Sequence, residues 1–542
     1  MHTTAGSATR SVVHRGPTTV AEAFLATVES RADAPAILDA DLEVVLSWRD
    51  YGVAARRIAT GLAALGLGPG DTLGLLLSNR PEFHVADAGA LLVGATPFSM
   101  YNTSAPEQLA HLVADADCRI VITEAALVDG LLAAFEHGRG AVDHVVVVGS
   151  DAWFELLDSD ELEDAAALKP GDLATLIYTS GTTGPPKGVE LTHANILTMA
   201  AEIGALIGIQ QGQRTVSYLP MAHIAERVCT HYLPMTVGLI VVCCPTPSAV
   251  TELLPRVRPH FFFSPPRLWE KLQASIAADV AAGIDHQEIR RRLGFDELAA
   301  AVTGAAPCPP AVIEFFAAIG ISLREVYGLS ETTGVVSLAS ANDVRPGTVG
   351  PPLPSAQVRL AQDGELLVRG PLLMAGYRNR PEATAEAIDA EGWLHTGDIA
   401  RIEADGHLRI VDRKKELIIN AAGKNMSPTN IEARLKEGSP LIGQACVFGD
   451  GRPYNVALIV LDPTVAASYA TDVQRHAEVQ AGVDRGNARL ARVEQIKRFA
   501  ILAEDWLPDS DELTPTMKLK RRPIAQKYAP QIEALYMTRE TK

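Results

Sequence analysis

The sequence predicts an α/β protein with a large N-terminal domain of mixed, mainly parallel sheets with helices, a smaller β-subdomain and a small α+β C-terminal domain. Three observations predict this fold. Short apolar runs alternate with helical periods from about residue 20, Gly and Pro become frequent after about residue 345, and a charged segment at 412–416 precedes a final unit of about 125 residues. Apolar runs without clean alternation are typical of parallel strands buried on both faces.

The first elements of the large domain can be placed one by one. Ser47 and Asp50 form a capping-box pattern for a helix that begins at Trp48. A short apolar run from Leu73 to Leu77 is predicted as a strand, and an amphipathic stretch follows it through Leu91. Further strands are predicted from the β-branched runs CRIVITE (118–124) and HVVVVG (144–149), with helical segments between them.

The later elements have a different texture. After residue 345, GELLVRG and HLRIVDR favour antiparallel hairpins. Beyond DRKKE, the strands IGQACVFGD and NVALIVLD are predicted, followed by helices. The boundary between the two domains is therefore expected at this charged segment.

Composition and charge restrict the classes of function. The 542 residues exceed one ordinary domain of roughly 100–200 residues. Hydrophobic residues make up 47% and charged residues 21%, which is a globular composition. The 48 Lys and Arg against 65 Asp and Glu give a net charge of −17, so a nucleic-acid partner is not expected. A local basic cluster can still bind an anionic ligand.

Cysteine usage and the terminal segment indicate a cytoplasmic protein. The thiols show no CxxC and no metal-ligand spacing, which favours a reducing compartment; they are Cys118, Cys229, Cys243, Cys244, Cys308 and Cys446. The first residues lack the apolar region of a secretory signal, and no run of about 18 apolar residues is present. No long basic amphipathic helix is evident, so any peripheral membrane contact is expected to be weak.

The strongest motif is YTSGTTGPPKG, from Tyr178 to Gly188, between the strand-like ATLIY and THANIL, which can open a helix. Gly and small hydroxyl residues let backbone N–H groups approach phosphate oxygens, and Lys187 adds a positive charge. It is not a Walker A loop, because Gly188 follows the lysine where Ser or Thr is required. The alternative is a flexible Gly/Thr linker.

Five further motifs follow this loop in order: GAAP (304–307), VYGLSETTG (326–334), GWLHTGD (392–398), DRKKELI (412–418) and TPTMKLKRR (514–522). With them, the chain resembles the adenylate-forming superfamily of acyl-CoA synthetases, luciferases and peptide-synthetase adenylation domains, from about residue 20 to residue 523. LPMAHIAER (219–227), RPHFFFSPPRLWEKL (258–272) and LTPTMKLKRR (513–522) are similar to its long-chain fatty acyl-CoA synthetase branch.

The resemblance implies an ATP and Mg²⁺ site. Tyr327 would stack on adenine, Ser330 would contact phosphate, and Glu331 would bind the metal together with Ser180, with Thr183 as the less favoured partner. Mg²⁺ prefers such hard oxygen ligands. Alternatively, Tyr327 packs in the core and Glu331 is solvated. The other implied nucleotide-binding residues are Thr179, Gly181, Thr182, Gly184, Lys187, Gly304, Ala305, Ala306 and Gly328.

The resemblance also implies ribose, hinge and CoA residues. Asp398 would accept hydrogen bonds from the ribose hydroxyls, with Arg413 as an added donor, and Lys415 would be the hinge. Gly423 and Lys424 would line the pantetheine channel, although Asn425 stands where relatives often have Arg. The plainer interpretations are a turn at Gly397–Asp398 and an exposed basic run that includes Lys414.

The resemblance implies that Lys518 is the catalytic lysine, which would bridge the carboxylate and the α-phosphate. Two like unit charges about 4 Å apart cost on the order of 4 kcal/mol at an effective dielectric constant of 20, so a cation is needed where they meet. Alternatively, Lys518 belongs to a solvated patch with Lys520, Arg521 and Arg522, or Lys520 is the working lysine. His223 would lie beside the acyl pocket, unless it is a packing residue.

The resemblance implies an ATP-dependent fatty acid–CoA ligase for medium- to long-chain acids, with ATP, Mg²⁺ and CoA as cofactors and co-substrates. The implied organisation is a tail (1–17), a large AMP-binding domain (18–412), a hinge (413–415) and a small mobile domain with the catalytic lysine (416–542). The alternatives are a ligase that loads a carrier protein and a non-catalytic nucleotide-binding homologue.

Overall fold

The computed structural model of the protein describes residues 16–138, 140–179, 185–421, 424–507, 510–514 and 518–537. Almost all of the expected tail, 1–17, therefore lies outside the described residues. Two domains follow, as the sequence predicts, and the larger one holds the main hydrophobic core. Within the described chain, no helix has the length and apolar character needed to cross a bilayer.

The first part of the large domain alternates helices and strands. In chain order these are α1 (Val20–Arg31), β1 (Pro35–Leu38), β2 (Val44–Ser47), α2 (Trp48–Ala64), β3 (Thr72–Leu76), α3 (Pro81–Val93), β4 (Thr96–Ser99), α4 (Pro106–Asp115), β5 (Cys118–Thr123), α5 (Val128–His137), β6 (His144–Val147), α6 (Asp151–Leu157), β7 (Leu173–Thr179), β8 (Lys187–Thr192) and α7 (His193–Ile207).

The next part continues the alternation up to a short antiparallel strand. Its elements are β9 (Arg214–Ser217), α8 (Ile224–Arg227), α9 (Leu233–Val237), β10 (Ile240–Cys243), α10 (Val250–Val257), β11 (Phe261–Ser264), α11 (Pro266–Ala281), α12 (His286–Leu293), β12 (Ala300–Thr303), α13 (Pro310–Ala318), β13 (Leu323–Tyr327) and β14 (Ser337–Leu338).

The β-subdomain and the small domain complete the chain. The former contains β15 (Gln357–Leu360), β16 (Glu365–Arg369), β17 (Gly376–Tyr377), α14 (Pro381–Ala387), β18 (Leu394–Ile402) and β19 (Leu408–Arg413). The latter contains β20 (Ile418–Ile419), β21 (Asn425–Met426), α15 (Pro428–Gly438), β22 (Ile442–Phe448), β23 (Asn455–Leu461), α16 (Pro463–Ala466), α17 (Asp472–Asn487), β24 (Ile496–Ile501), α18 (Arg521–Lys527) and α19 (Ala529–Met537).

The largest sheet confirms the prediction of buried parallel strands. Its order is β17-β8-β7-β4-β3-β5-β6, and β3 pairs in parallel with both β4 and β5. Every residue of β3 is buried, which explains why its sequence shows no alternation. The helix predicted at Trp48 is also confirmed, with Ser47 and Asp50 forming a reciprocal capping box.

Two further sheets bring strand ends toward the site. One has the order β2-β1-β10-β9, and the other has the order β11-β12-β13-β14 with β11, β12 and β13 parallel. In parallel sheets the loops after the carboxyl ends of the strands are the usual place for ligands. Thr303 and Tyr327 end two of these strands, and Thr179 ends β7 in the largest sheet.

The predicted antiparallel hairpins are also present. The β-subdomain sheet has the order β15-β16-β18-β19, and β18 pairs with β19 so that Asp398 lies opposite Arg413. In the small domain, β22 and β23 are antiparallel and β24 adds to β23 in parallel. The sequence pattern missed α15, which precedes these strands, and β24, which follows them.

Candidate active site

Asp398 joins two residues that the sequence assigned to different parts of the nucleotide. The Tyr327 hydroxyl donates a hydrogen bond of 2.6 Å to Asp398 Oδ2, and Arg413 Nε lies 2.8 Å from Asp398 Oδ1. Tyr327 lies on β13 and Asp398 on β18, and the β18–β19 hairpin places Arg413 opposite Asp398. Three residues separated in sequence therefore form one hydrogen-bonded unit.

The electrostatics of this unit follow from its burial. Asp398 is only 3% exposed, and burial raises the pKa of its carboxyl group, although Arg413 and the Tyr327 hydroxyl counteract that rise. Burial, and then the negative charge of Asp398, raise the pKa of the Tyr327 phenol. The turn before Asp398 uses Gly397 with a φ of 72°, a backbone conformation that favours glycine. The predicted turn and the predicted ligand position thus coincide.

Glu331 has a partner that the sequence analysis missed. The Tyr377 hydroxyl donates to Glu331 Oε1 at 2.8 Å, and Lys187 Nζ lies 4.8 Å from the centre of the Tyr377 ring. Tyr377 pairs with Val189 across β17 and β8, which places its ring near the first residue of β8. The only sequence signal was its position in GYRNRP, and that motif alone indicates no chemistry.

The predicted phosphate loop connects β7 and β8. Thr179 is the last residue of β7 and pairs with Lys187, the first residue of β8. The predicted loop residues Ser180, Gly181, Thr182, Thr183 and Gly184 lie outside the described residues. Beyond the loop, His111 Nε2 lies 3.0 Å from the carbonyl oxygen of Pro186, so α4 contacts the loop exit.

The predicted adenine-side residues lie after β12 and β13. A Cβ atom on Gly304 would stand 2.5 Å from Val326 Cγ1, so glycine is required for packing on β13. Ala305 has a φ of 65°, and Ala306 follows it in the same loop. A Cβ atom on Gly328 would stand 2.2 Å from the carbonyl oxygen of Gly334. Ser330 begins the 3₁₀ turn that carries Glu331.

Lys518 lies in a short hairpin of the small domain. The Thr514 N–H donates to the Lys518 carbonyl oxygen at 2.8 Å, and the Lys518 N–H donates to Thr514 Oγ1 at 2.9 Å. Lys520 Nζ instead donates to the carbonyl oxygen of Ser510 at 2.8 Å. Lys520 therefore has a structural role, because its side chain stabilises the hairpin.

The Lys518 side chain is exposed to solvent, although its ammonium group lies near charged residues of the large domain. Loss of bulk water around it, followed by the nearby positive charge of Arg413, lowers the pKa of Lys518. Asp398, Glu416 and Glu331 are close enough to oppose this shift through their negative charges. The lysine of the small domain and the acidic residues of the large domain consequently share one cleft.

His223 lies beside the same ammonium group and also caps a helix. Its Nδ1 atom accepts a hydrogen bond of 3.2 Å from the Ala225 N–H at the start of α8. Burial, and then the positive charge of Lys518, lower the pKa of His223 to about 4. His223 is therefore neutral at neutral pH, and it contributes a dipole rather than a positive charge.

The segment around Lys415 is attached to a different domain on each side. Lys414 Nζ lies 2.9 Å from Glu365 Oε2 in the large domain, whereas Arg521 Nε lies 3.2 Å from Glu416 Oε2 and belongs to the small domain. In the described chain, no side-chain hydrogen bond or ion pair joins Lys415 to either domain. The chain thus changes its attachment at this residue.

The predicted CoA-side residues lie after this segment. Gly423 lies outside the described residues. Lys424 is exposed, and its N–H donates to Asn420 Oδ1 at 2.9 Å.

The oxygen ligands near Glu331 suit a Mg²⁺ ion that is also bound by a nucleotide, because the described part of the protein alone supplies too few of them. In the described chain, no cluster of three or more His, Cys, Asp or Glu residues could hold a metal ion on its own. Mg²⁺ commonly takes one or two protein oxygens and completes its shell with phosphates and water. The hard carboxylate oxygens of Glu331 can supply such a ligand.

The family of the chain follows from comparison with known sequences. A profile described as AMP-binding enzyme matches residues 24–378, and a profile described as AMP-binding enzyme C-terminal domain matches residues 415–540. The chain belongs to the AMP-binding enzyme family. In this AMP-binding enzyme, Tyr327, Glu331 and Lys187 fall in the first match and Lys518 falls in the second.

Relatives of this AMP-binding enzyme carry fatty-acid names. FadD11 of Mycobacterium tuberculosis, provisionally named a fatty-acid–CoA ligase, is 47% identical over 68% of this chain and 74% of its own length. The long-chain-fatty-acid–CoA ligase FadD15 of Mycobacterium bovis is 35% identical over 89% of this chain and 90% of its own length. The resemblance to the long-chain fatty acyl-CoA synthetase branch is thereby confirmed.

Solved structures share the fold of this AMP-binding enzyme. A fatty acyl-CoA synthetase of Mycobacterium tuberculosis matches with a TM-score of 0.69 and 25% identity, covering 95% of this chain and 99% of that one. The anthranilate–CoA ligase AuaEII, in complex with anthranoyl-AMP, matches with a TM-score of 0.82 and 20% identity, covering 94% and 97%. Both confirm the predicted α/β fold class.

Proposed function

We propose that this AMP-binding enzyme is an ATP-dependent fatty acid–CoA ligase for medium- to long-chain acids. In the first step a carboxylate oxygen attacks the α-phosphorus of ATP, the bond to the β-phosphate oxygen breaks, and acyl-adenylate and pyrophosphate form. In the second step the CoA thiolate attacks the acyl carbonyl, the bond to the phosphate oxygen breaks, and AMP leaves with the acyl group now on sulfur.

One observation carries this proposal. The Lys518 ammonium of the small domain shares a cleft with Asp398, Arg413 and Glu331 of the large domain, and it is close enough to affect the pKa of His223. Joining two anions requires positive charge at the point where they meet, and a preorganised cation in a partly dehydrated cleft supplies it. The names of the relatives point to fatty acids as the acyl donors.

Each side chain then has a defined task in adenylation. Asp398 accepts hydrogen bonds from the ribose, and Arg413 and the Tyr327 hydroxyl hold its carboxylate in place. Lys187 and the loop before it bind phosphate oxygens, and Lys518 neutralises charge between the carboxylate and the α-phosphate. Glu331 with Ser180 would hold Mg²⁺, which when bound neutralises charge on the phosphates.

The second step needs a different arrangement of the same small domain. We infer that residues 18–412 form the large domain, 413–415 the hinge and 416–542 the small domain, with rotation at Lys415. The attachment of Lys414 to Glu365 and of Glu416 to Arg521 supports a pivot between them. Rotation withdraws Lys518 and brings the face around Gly423 and Lys424 to the acyl-adenylate.

The decisive experiment is a panel of fatty acids of increasing length, with ATP and CoA, in which AMP release is measured. We expect release to require both a fatty acid and CoA. The Asp398→Asn variant should raise the KM for ATP and weaken discrimination against 2′-deoxy-ATP, while Asp129→Asn, on the exposed face of α5, should change neither.

Two results would contradict the assignment. A preference for aromatic or amino acids would overturn the fatty-acid assignment. Pyrophosphate exchange without CoA-dependent AMP release would instead favour transfer of the acyl group to a carrier protein.

A further inference from the structure

Four charged side chains form an alternating network across the interface between the domains. Arg267 and Glu270 lie on α11 of the large domain, whereas Lys436 and Asp462 belong to the small domain. Arg267 NH2 lies 3.2 Å from Asp462 Oδ2, and Lys436 Nζ lies 3.4 Å from Glu270 Oε1. Arg267 and Glu270 are themselves 3.8 Å apart, so all four charges are connected.

In each of the two interdomain ion pairs, one residue precedes Lys415 in the sequence and the other follows it. Arg267 and Glu270 precede the pivot, and Lys436 and Asp462 follow it. Any rotation of the small domain at Lys415 therefore separates both pairs. The same contacts are present while Lys518 is in the cleft, so they accompany the arrangement that adenylation requires.

A third contact has the same property. The Ser427 hydroxyl donates to Asp412 Oδ2 at 2.5 Å, and the Thr429 N–H donates to the same oxygen at 3.1 Å. Asp412 is the second-last residue of β19, before the pivot, and Ser427 is the N-cap of α15 beyond it. Helix α15 is consequently held to the large domain at its start by Asp412 and near its end through Lys436.

We propose that Arg267, Glu270, Lys436 and Asp462 form an interdomain latch that positions Lys518 for adenylation and must open before thioester formation. The latch rests on the proposed two-step function, and its four members are positioning residues that do not touch the reacting atoms. Its side chains are only partly buried, so each ion pair is weak enough to break during every catalytic cycle. Because positive and negative charges alternate along the network, one relative position of the two domains is favoured over shifted ones.

Charge exchange at Glu270 and Lys436 tests the latch. Lys436→Glu replaces attraction with repulsion at one partly exposed ion pair, and we expect ATP–pyrophosphate exchange to slow about twofold to fivefold. Thioester formation from preformed acyl-adenylate and CoA should not slow. The double variant Glu270→Lys with Lys436→Glu restores this attraction, but the new positive charge lies beside Arg267, so the variant should recover part of the lost exchange rate.

Glu288→Lys is the matched control. Glu288 lies on α12 and forms its ion pair with Arg291 of the same helix at 2.8 Å, so its reversal leaves the interface unchanged. Both side chains of this control pair are more exposed than those of Lys436 and Glu270. Exchange by this variant should match that of the wild-type enzyme. An unrescued double variant, or equal slowing of both half-reactions by Lys436→Glu, would overturn the latch.

A second measurement needs no substrate. Arg413, Lys414 and Lys415 are exposed trypsin sites at the pivot, and undocking of the small domain should loosen the 3₁₀ turn that Lys414 and Lys415 begin. Lys436→Glu should speed limited cleavage there, and the double variant should bring the rate back toward that of the wild-type protein. If the cleavage rate rises in Lys436→Glu and falls again in the double variant, but no fatty acid is adenylated, the proposed function fails and the latch stands. If fatty acids are adenylated but the cleavage rate is the same in all variants, the latch alone is overturned.

Discussion

Tyr377 and Glu331 are joined by a hydrogen bond of 2.8 Å from the phenol to the carboxylate, and the same Tyr377 ring contacts the ammonium of Lys187 at 4.8 Å. One side chain thus connects the proposed metal ligand with the proposed phosphate lysine. Neither contact requires the small domain, because all three residues belong to the large domain. On the proposed function, Tyr377 would therefore organise the phosphate side of the cleft without any contact from the small domain.

Tyr377→Phe should slow adenylation by about tenfold, the effect expected for losing one hydrogen bond of about 1.4 kcal/mol to a charged group. The ring remains, so the contact with Lys187 is retained, and the apparent affinity for Mg²⁺–ATP should fall because Glu331 is less well oriented. The measurement is pyrophosphate exchange against Mg²⁺ concentration. Tyr469→Phe, which alters a side chain packed on the small-domain core, is the control; an unchanged Mg²⁺ dependence in Tyr377→Phe would contradict this role.

Lys518→Ala should reduce adenylation by about 10²–10³-fold, the usual cost of removing one preorganised group that stabilises developing charge. Thioester formation from preformed acyl-adenylate should be retained. Lys520→Ala removes a hydrogen bond to the Ser510 carbonyl oxygen, so it should mainly lower the thermal stability of the small domain. Both half-reactions and thermal melts should be measured. If Lys520→Ala loses adenylation and Lys518→Ala does not, the wrong lysine has been assigned.

Lys415→Pro should separate the two half-reactions. Proline fixes φ near −65° and restricts the preceding residue, which limits rotation at the pivot. Since the docked pose already exists, we expect adenylation to persist and thioester formation to fall by at least about tenfold. Lys415→Ala leaves the backbone able to rotate and should retain both steps. Equal loss of both steps in the proline variant would argue against Lys415 as the pivot.

Glu226 should make the stability of the fold depend on pH. Its Oε1 accepts hydrogen bonds from Ser217 Oγ at 3.0 Å and Thr230 Oγ1 at 2.9 Å, but burial dominates and raises the pKa of Glu226 from 4.5 to about 8. The unfolded chain loses this proton at a lower pH than the folded chain does. The contribution to stability is therefore complete below pH 4.5 and is lost as the pH rises through about 8.

Glu226→Gln should flatten this dependence, because glutamine resembles the protonated acid and does not titrate. The free energy of unfolding, measured with denaturant between pH 5 and about pH 8, should fall less in the variant than in the wild-type protein. Glu314→Gln, on the exposed face of α13, should leave the wild-type slope unchanged. Identical slopes for Glu226→Gln and the wild-type protein would show that Glu226 is ionised when folded.

Local patterns predicted much of the fold. The capping box at Ser47 and Asp50 identified the start of α2, and the apolar run at 73–77 located β3 to within one residue. Such signals depend only on residues that are close in sequence, so they can be recognised without knowledge of the fold. Helix α15 was missed because its few apolar positions lie in a polar, charged stretch.

Contacts between distant residues could not be read in the same way. Arg267 and Asp462 are 195 positions apart, and each looks like an ordinary surface charge in its own segment. Tyr377 and Glu331 are 46 positions apart and share no local pattern. The motif order predicted which residues belong to the cleft, whereas their pairing depends on sheet register and on the pose of the small domain.

The change of attachment at Lys415 has a practical consequence for protein engineering. Arg413 and Lys414 keep their partners in the first piece of a chain cut at this point, and Glu416 keeps Arg521 in the second. A recombinant hybrid joined here would keep these three ion pairs within their own pieces, and only the interdomain pairs of the latch would depend on the new partner module. Swapping C-terminal modules between relatives at this junction should accordingly give well-folded hybrids more often than joining them a few residues earlier.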